Sequence, residues 1–230
     1  MCRNLKRCLP VIALGAICFL GAGQEPSSAQ APVREAIEPN GAGVAFMKEG
    51  LFKEAAAAFR GSLRTDPTFN LARINLGIAL FYDQDLVGAS RALSEAETGE
   101  PENPYILFTL GLVCRRKEEN SRAAELFAQV VRIDPKCSAS HYNLGVILAR
   151  QGKTGEAEAA LKCALELDPN QIGAIYSLGS LLVKTGRAEE GYRMLDRYRS
   201  LQERIPAQAG MGSGSHYGEM GKYAIAKEFR

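Results

Sequence analysis

The 230-residue sequence predicts an all-α protein, a solenoid of stacked helical hairpins. Three series of residues spaced 34 positions apart support this prediction, because three interleaved series in one register do not arise by chance. The series are Pro67, Pro101, Pro135 and Pro169, then Gly43, Gly77, Gly111, Gly145 and Gly179, then Ala55, Ala89, Ala123 and Ala157. No segment alternates apolar and polar residues with period two, so we expect no β-sheet.

The first 29 residues have the order of a secretory signal peptide. Three basic residues open the chain, and the stretch from Leu9 to Ala22 is nearly all apolar. Small residues then precede a cleavage site expected after Ala29. The alternative is an uncleaved membrane anchor, but an apolar core of about 14 residues is short for a span that needs roughly 20. We therefore expect a cleaved, periplasmic or secreted protein in which residues 30–38 form a linker.

Each 34-residue unit is predicted to be a pair of helices. In the fourth unit, His141, Leu144, Gly145 and Leu148 share one helical face, and Gly152 ends that helix. A second apolar face follows and stops at Asp168-Pro169, since the residue before a proline is driven out of the helical region. One such hairpin cannot bury its apolar side alone, whereas stacked neighbours can. The five predicted units are 36–69, 70–103, 104–137, 138–171 and 172–205.

This arrangement resembles the tetratricopeptide repeat. The matching residues are Leu76-Gly77, Leu110-Gly111, Leu144-Gly145 and Leu178-Gly179, followed by the alanine series, the series Phe59, Leu93, Phe127, Leu161 and Leu195, and the proline series. The resemblance implies a right-handed superhelical solenoid that acts as a protein–protein scaffold. The sequence departs from the family at the frequent tryptophan of the first helix, which is replaced by Arg73, Leu107, His141 and Ile175.

Residues 206–230 are expected to form a partial, glycine-rich sixth unit. Tyr217, Gly221, Tyr223 and Ala226 fit the repeat if one residue is inserted before it. Three glycines between 210 and 214 would each weaken a helix by roughly 1 kcal/mol relative to alanine. Two alternatives stay open: the tail folds onto unit five as an imperfect cap, or the chain is the front of a longer protein.

The resemblance also implies a concave groove lined by the first helix of each unit. We expect it to offer aromatic faces, amides or hydroxyls, and a row of cations that favour an acidic segment or a terminal carboxylate. The candidate groove residues are Asn75, Phe81, Tyr82, Tyr105, Phe108, Arg115, Arg116, Tyr142, Asn143, Arg150, Tyr176 and Lys184. The alternative is that the aromatic residues pack between units and the cations are ordinary solvated residues.

Little in the sequence suggests catalysis, a metal or a cofactor. Cys114 is predicted to be buried, and Cys137 and Cys163 are candidates for a disulfide across one hairpin. With His141 they would supply only three metal ligands, so we expect no metal site and no cofactor. The net charge of +2 disappears with residues 1–29, which carry three basic residues and one acidic residue. A neutral mature chain argues against nucleic acid as the partner.

These observations favour a non-catalytic scaffold that binds a peptide segment of a partner protein in the cell envelope or outside the cell. A second hypothesis is a repeat module of a longer exported enzyme or adhesin. A third is a structural spacer that self-assembles end to end. The sequence does not define the oligomeric state.

Overall fold

The computed structural model describes residues 31–203 and 222–228. Within these ranges the chain forms ten α-helices and no β-strand, so the predicted all-α fold class is confirmed. The helices are α1 (Ala31–Lys48), α2 (Phe52–Thr65), α3 (Asn70–Tyr82), α4 (Leu86–Glu97), α5 (Pro104–Arg116), α6 (Asn120–Ile133), α7 (Ser138–Arg150), α8 (Thr154–Leu167), α9 (Ile172–Lys184) and α10 (Ala188–Glu203). A 3₁₀ turn, Lys222–Ala224, follows. The predicted signal peptide lies outside the described residues.

The helices pack as five consecutive hairpins, α1 with α2 through α9 with α10, and each hairpin stacks on the next. The first helices also contact one another directly, α1 with α3, α3 with α5 and α7 with α9. The first helices α1, α3 and α5 therefore lie side by side, as do α7 and α9, and a hydrogen bond from Arg115 to Asn143 links α5 to α7. Each second helix packs on the first helix of its own hairpin and, from α2 to α8, on that of the next.

The glycine series lets the two helices of a hairpin approach closely. A Cβ atom built on Gly43 would lie 2.5 Å from Cε1 of Phe59, and one on Gly111 would lie 2.9 Å from Cε1 of Phe127. Gly77 meets Leu93 and Gly145 meets Leu161 in the same way. The large residue of each second helix thus packs directly on the glycine of the first.

Each first helix ends in a left-handed turn, and these turns also recur every 34 residues. Gly50, Gly152 and Gly186 have φ of 75°, 77° and 85°, and the equivalent Gln84 and Glu118 have φ of 68° and 61°. Glycine adopts this conformation without a steric penalty, whereas a residue with a Cβ atom does not. The two of these five turns that contain Gln84 and Glu118 are therefore strained.

Three of the second helices, α2, α6 and α8, end at an aspartate that organises the next turn. The carboxylate of Asp66 accepts a hydrogen bond from the Thr68 amide at 2.9 Å, and that of Asp168 accepts one from the Asn170 amide at 3.0 Å. At the end of α6, Asp134 accepts from the Lys136 amide at 3.3 Å. This turn fixes Asp134 at the junction between units three and four.

Residues 31–38 of the expected linker 30–38 are helical in the structure, because α1 already begins at Ala31. Ala36 is fully buried and packs with Phe69 and Ala72, and its carbonyl accepts a 2.6 Å hydrogen bond from the Ser62 hydroxyl. These contacts hold the helix together across Pro39, which lacks an amide proton.

The apolar core has two main parts. The larger extends from α1 to α7 and includes Tyr223, Ala224 and Ala226, and the smaller lies among α7, α8 and α9. Leu144 packs against both. In the described part of the chain, no helix combines the length and apolar character that crossing a bilayer requires.

Candidate peptide-binding groove

Residues 222–228 lie in the groove formed by the first helices, across α3 and α5. They form a 3₁₀ turn followed by an irregular stretch, not the second helix of a sixth unit. The segment makes its contacts on units one to three, so it does not cap unit five as one sequence alternative proposed. Backbone polar groups of the segment bond to groove side chains, and this offsets the lack of a helix.

Asn75 binds the main chain of this segment with its whole carboxamide group. The Lys227 amide donates to Oδ1 of Asn75 at 2.7 Å, and Nδ2 of Asn75 donates to the Lys227 carbonyl at 2.8 Å. The same Nδ2 donates to Oδ1 of Asn40 at 3.0 Å, which fixes the carboxamide orientation. Two hydrogen bonds to the amide and the carbonyl of one residue recognise only its main chain, so they do not depend on which side chain that residue carries.

The residues equivalent to Asn75 in units three and four have different roles. In unit three the Thr109 hydroxyl donates to the Tyr223 carbonyl at 3.3 Å, a second main-chain contact. In unit four the Asn143 carboxamide is already engaged, since it accepts from Arg115 at 2.6 Å and donates to the Ala139 carbonyl at 2.8 Å. The predicted groove residue Asn143 is therefore a buried structural residue, while Asn75 lies in the groove.

Tyr223 fills a pocket between α5 and the end of α6. Its ring meets Tyr105 edge-on at 5.1 Å between centroids and lies 6.2 Å from the ring of Phe108, which is fully buried. Its hydroxyl donates to Oδ2 of Asp134 at 2.8 Å, and Nζ of Lys222 lies 2.5 Å from the same oxygen. Edge-to-face aromatic pairs and a satisfied hydroxyl are typical of a specific tyrosine site.

The charges in this pocket shift the pKa values of its groups. The hydrogen bond from Lys222 is the main reason that the pKa of Asp134 is lowered, and the Tyr223 hydroxyl contributes to the same shift. Burial raises the pKa of Tyr223 to about 12, with the Asp134 hydrogen bond adding to it. The pocket thus favours a neutral tyrosine beside an ionised carboxylate.

Three of the candidate aromatic groove residues pack between units. Phe81 is buried, and Tyr82 stacks on Phe52 with 5.1 Å between centroids. Tyr142 lies against Gly173, where a Cβ atom would be 2.8 Å from the tyrosine oxygen. These three residues follow the packing alternative, because positions adjacent to the groove face also meet the neighbouring hairpin.

Of the four candidate cations at the groove edge, two contact neighbouring units and two are exposed. Arg115 is half-buried and holds Asn143, and burial is the main reason that its pKa is lowered. Arg116 lies 5.6 Å above the ring of Phe81 and donates to Gln84. Arg150 and Lys184 are exposed.

A second part of the groove, in units four and five, forms a cavity of about 220 Å³. It is lined by Val146, Ala149, Tyr176, Ser177, Ser180, Leu181 and Lys184. Tyr176 is 51% exposed and its ring lies 5.1 Å from that of Tyr198. Of the candidate aromatic residues, Tyr176 offers the most accessible ring, beside an exposed cation.

The three described cysteines are free, so the candidate bridge between Cys137 and Cys163 is not formed. Cys137 is buried at the start of α7, where its sulfur accepts from the Ser140 hydroxyl at 3.1 Å. Cys114 is buried as expected, and this burial raises its pKa to about 11. Within the described ranges, no group of three His, Cys, Asp or Glu side chains is arranged to hold a metal ion.

Comparison with known proteins identifies the class. Tetratricopeptide repeat models match residues 40–104, 74–136, 108–172 and 148–210. Together these matches span most of the sequence, and the chain therefore belongs to the tetratricopeptide repeat family. This confirms the resemblance seen in the sequence.

Solved structures share the fold. A structure of MamA, "MamA MSR-1 C2", is 23% identical with a TM-score of 0.62, covering 74% of this chain and 97% of its own. MamA from Desulfovibrio magneticus RS-1 is 18% identical with a TM-score of 0.67, covering 75% and 98%. YrrB, described as a repeat protein of this family with an unusual peptide-binding site, is 21% identical with a TM-score of 0.62, covering 77% and 92%.

Proposed function

We propose that this protein is a non-catalytic scaffold that holds an extended peptide segment of a partner protein in its concave groove. The observation that carries the proposal is the pair of hydrogen bonds between the Asn75 carboxamide and the main chain of Lys227, one donated by each. A groove that binds main-chain amides and carbonyls can accept an extended segment from another protein. The unusual peptide-binding site described for YrrB supports this proposal for a related fold.

The open half of the groove in units four and five is where the partner is best detected. A photoreactive benzophenone amino acid placed at Tyr176 should crosslink to the partner in the native compartment. The matched control is the same amino acid at Val87, which is 78% exposed on the second helix of its hairpin. Equal crosslinking from the two positions would contradict a groove-bound partner.

The crosslinked peptide then gives a direct binding test. A synthetic copy of the segment identified by mass spectrometry should bind the full chain, and Tyr176→Ala should weaken this binding about tenfold. Loss of one large interface aromatic commonly removes about 1.4 kcal/mol or more. If the segment is acidic, Lys184→Glu should weaken its binding further, since this substitution reverses the charge beside the groove.

We also propose that the protein is exported with cleavage after Ala29. The support is the order of charged, apolar and small residues in positions 1–29. The mature protein from native cells should begin at Gln30, and replacing the three basic residues before position 8 with glutamate should leave the chain in the cytoplasm. An intact amino terminus on the native protein would overturn cleavage.

A further inference from the structure

The segment 222–228 has the properties of a bound peptide and not of a solenoid element. It contributes no α-helix, and it contacts side chains of three successive units. Asn75 and Thr109 bind its main chain, and Lys48 forms a 2.6 Å ion pair with Glu228 at one end. At the other end, Asp134 binds Lys222 and Tyr223.

Successive side chains of the segment each occupy a different part of the groove. Tyr223 occupies the aromatic pocket, and Ala224 and Ala226 are buried to 0% and 6% exposure. Because both alanines are buried, a larger side chain at either position would have to displace its neighbours. Lys227 places its ammonium group 5.4 Å from the centre of the Tyr105 ring.

We infer that residues 222–228 are an internal ligand of the groove in units one to three, and that an external partner must displace them to bind there. This inference rests on the proposed function. It also specifies the partner segment: a tyrosine preceded by a lysine, followed by small residues one and three positions later. Asp134 and the two buried alanine sites impose these requirements, while Asn75 holds the main chain in register.

As a ligand of its own groove, the segment is tethered to the chain that it binds. A tethered ligand acts at an effective concentration on the order of 1 mM. Against an intrinsic Kd of about 0.1 mM for a short peptide, it would leave about one groove in ten open. An external peptide would then bind the intact chain about tenfold more weakly than it binds a chain whose own segment is disabled.

The vacant groove can exist without unfolding. When the segment leaves, the Asn75 carboxamide and the Asp134 carboxylate become accessible to water, which can replace their lost hydrogen bonds. The helices α1 to α6 keep their packing on one another, including the contacts of the glycine series. Displacement therefore exposes a groove and leaves the solenoid in place.

The test uses a fluorescent synthetic peptide with the sequence of residues 218–230 and the full-length protein. Its affinity is measured for the unchanged chain and for a chain carrying Tyr223→Ala and Ala226→Asp, which disable the internal segment. We expect about tenfold tighter binding to the disabled chain. Val87→Ala, on an exposed outer position, is the matched control and should leave the affinity of the unchanged chain as it is.

Two groove substitutions show where the peptide binds. Asp134→Asn in the disabled chain keeps the turn at the end of α6 and removes the charge that faces Lys222, so peptide binding should fall several-fold. Thr109→Val removes one main-chain contact and should weaken binding less. Helix content measured by circular dichroism shows that each variant is folded.

The outcomes separate this inference from the proposed function. Equal peptide affinity for the unchanged and disabled chains, or no binding to a folded disabled chain, overturns the internal ligand. Concentration-dependent dimers of the unchanged chain that vanish in the disabled chain also overturn it, since the occupant is then a second copy. Crosslinking of a partner at Tyr176 together with equal affinities would overturn the inference and leave the proposed function standing.

Discussion

At the scale of single residues, each hairpin depends on a glycine in its first helix, because a side chain of the second helix packs directly against the backbone there. In α3 the position of a Cβ atom on Gly77 is already taken by Leu93. Gly41, on α1, has open space at the same point. The two glycines therefore differ in what a methyl group would meet.

We expect Gly77→Ala to destabilise the protein by about 1–3 kcal/mol, because overpacking forces the two helices apart. Gly41→Ala should be neutral or stabilise by up to about 1 kcal/mol, since alanine favours a helix interior. Urea denaturation followed by circular dichroism measures both. Equal midpoints for the two variants would contradict the close packing at Gly77.

The left-handed turn at Glu118 provides a second residue-scale prediction. Glu118→Gly should stabilise the chain by about 0.5–1 kcal/mol, because the left-handed conformation is unfavourable for a residue with a Cβ atom. Glu118→Ala is the control, since it keeps the Cβ atom and should give no such gain. The thermal midpoint should rise by about 1–4 °C only for the glycine variant.

At the scale of elements, the docking of residues 222–228 depends on an ionised carboxylate. The docked state lowers the pKa of Asp134, chiefly through Lys222. A carboxyl group whose pKa is lowered by docking favours docking at any pH above the ordinary titration range of an aspartate. The contribution is lost as the pH falls through the lowered value.

We therefore expect the segment to be docked at pH 7 and to release progressively below about pH 4. The groups that face Asp134 are Lys222, the Tyr223 hydroxyl and the Lys136 amide. The ¹³C shifts of the Tyr223 ring report the release, and circular dichroism shows whether the helices persist. Asp134→Asn should reduce this pH dependence and leave only the part that comes from the Lys48–Glu228 ion pair, and an unchanged titration in that variant would assign it to another group.

The hairpins could be predicted from the sequence because their determinants are local. Glycine, alanine and proline at 34-residue spacing define helix faces and helix ends within one unit. The docked segment could not be predicted in this way, since Asn75 and Lys227 are 152 positions apart. Tyr223 and Ala226 even match the repeat pattern, yet they are buried in the groove without a helix.

The candidate groove was predicted in part for a similar reason. Asn75, Tyr105 and Phe108 contact the segment or form its pocket, whereas Phe81, Tyr82 and Tyr142 pack between hairpins. Period alone places all six near one face of the first helices. Their burial depends on the neighbouring unit, and this is a tertiary property that the pattern does not encode.

At the scale of the whole molecule, the stabilising contacts are distributed unevenly among the five units. In a repeat array, stability is approximately a sum of units and nearest-neighbour interfaces. Units one to three carry the additional contacts of residues 222–228, while α10 contains one buried residue, Gly191. Local opening should therefore begin at unit five.

Hydrogen exchange measured by mass spectrometry should show the strongest protection in α3 to α6 and the weakest in α10. Tyr223→Ala should reduce protection in α3 and α5 while leaving α8 and α9 unchanged, because only the former contact the segment. Uniform protection, or an equal loss in all units, would mean that the segment does not stabilise the units that it touches.

The open cavity beside Tyr176 has a kinetic consequence. A partner can attach there while residues 222–228 still occupy the other half of the groove, and can then replace them contact by contact. Exchange of this kind does not wait for spontaneous departure of the segment, so its rate should rise with partner concentration and not level off at the intrinsic release rate. The part of the groove that the described residues leave uncovered would serve as the first attachment point. A groove that is mostly occupied could then respond quickly to a partner that extends along its whole length.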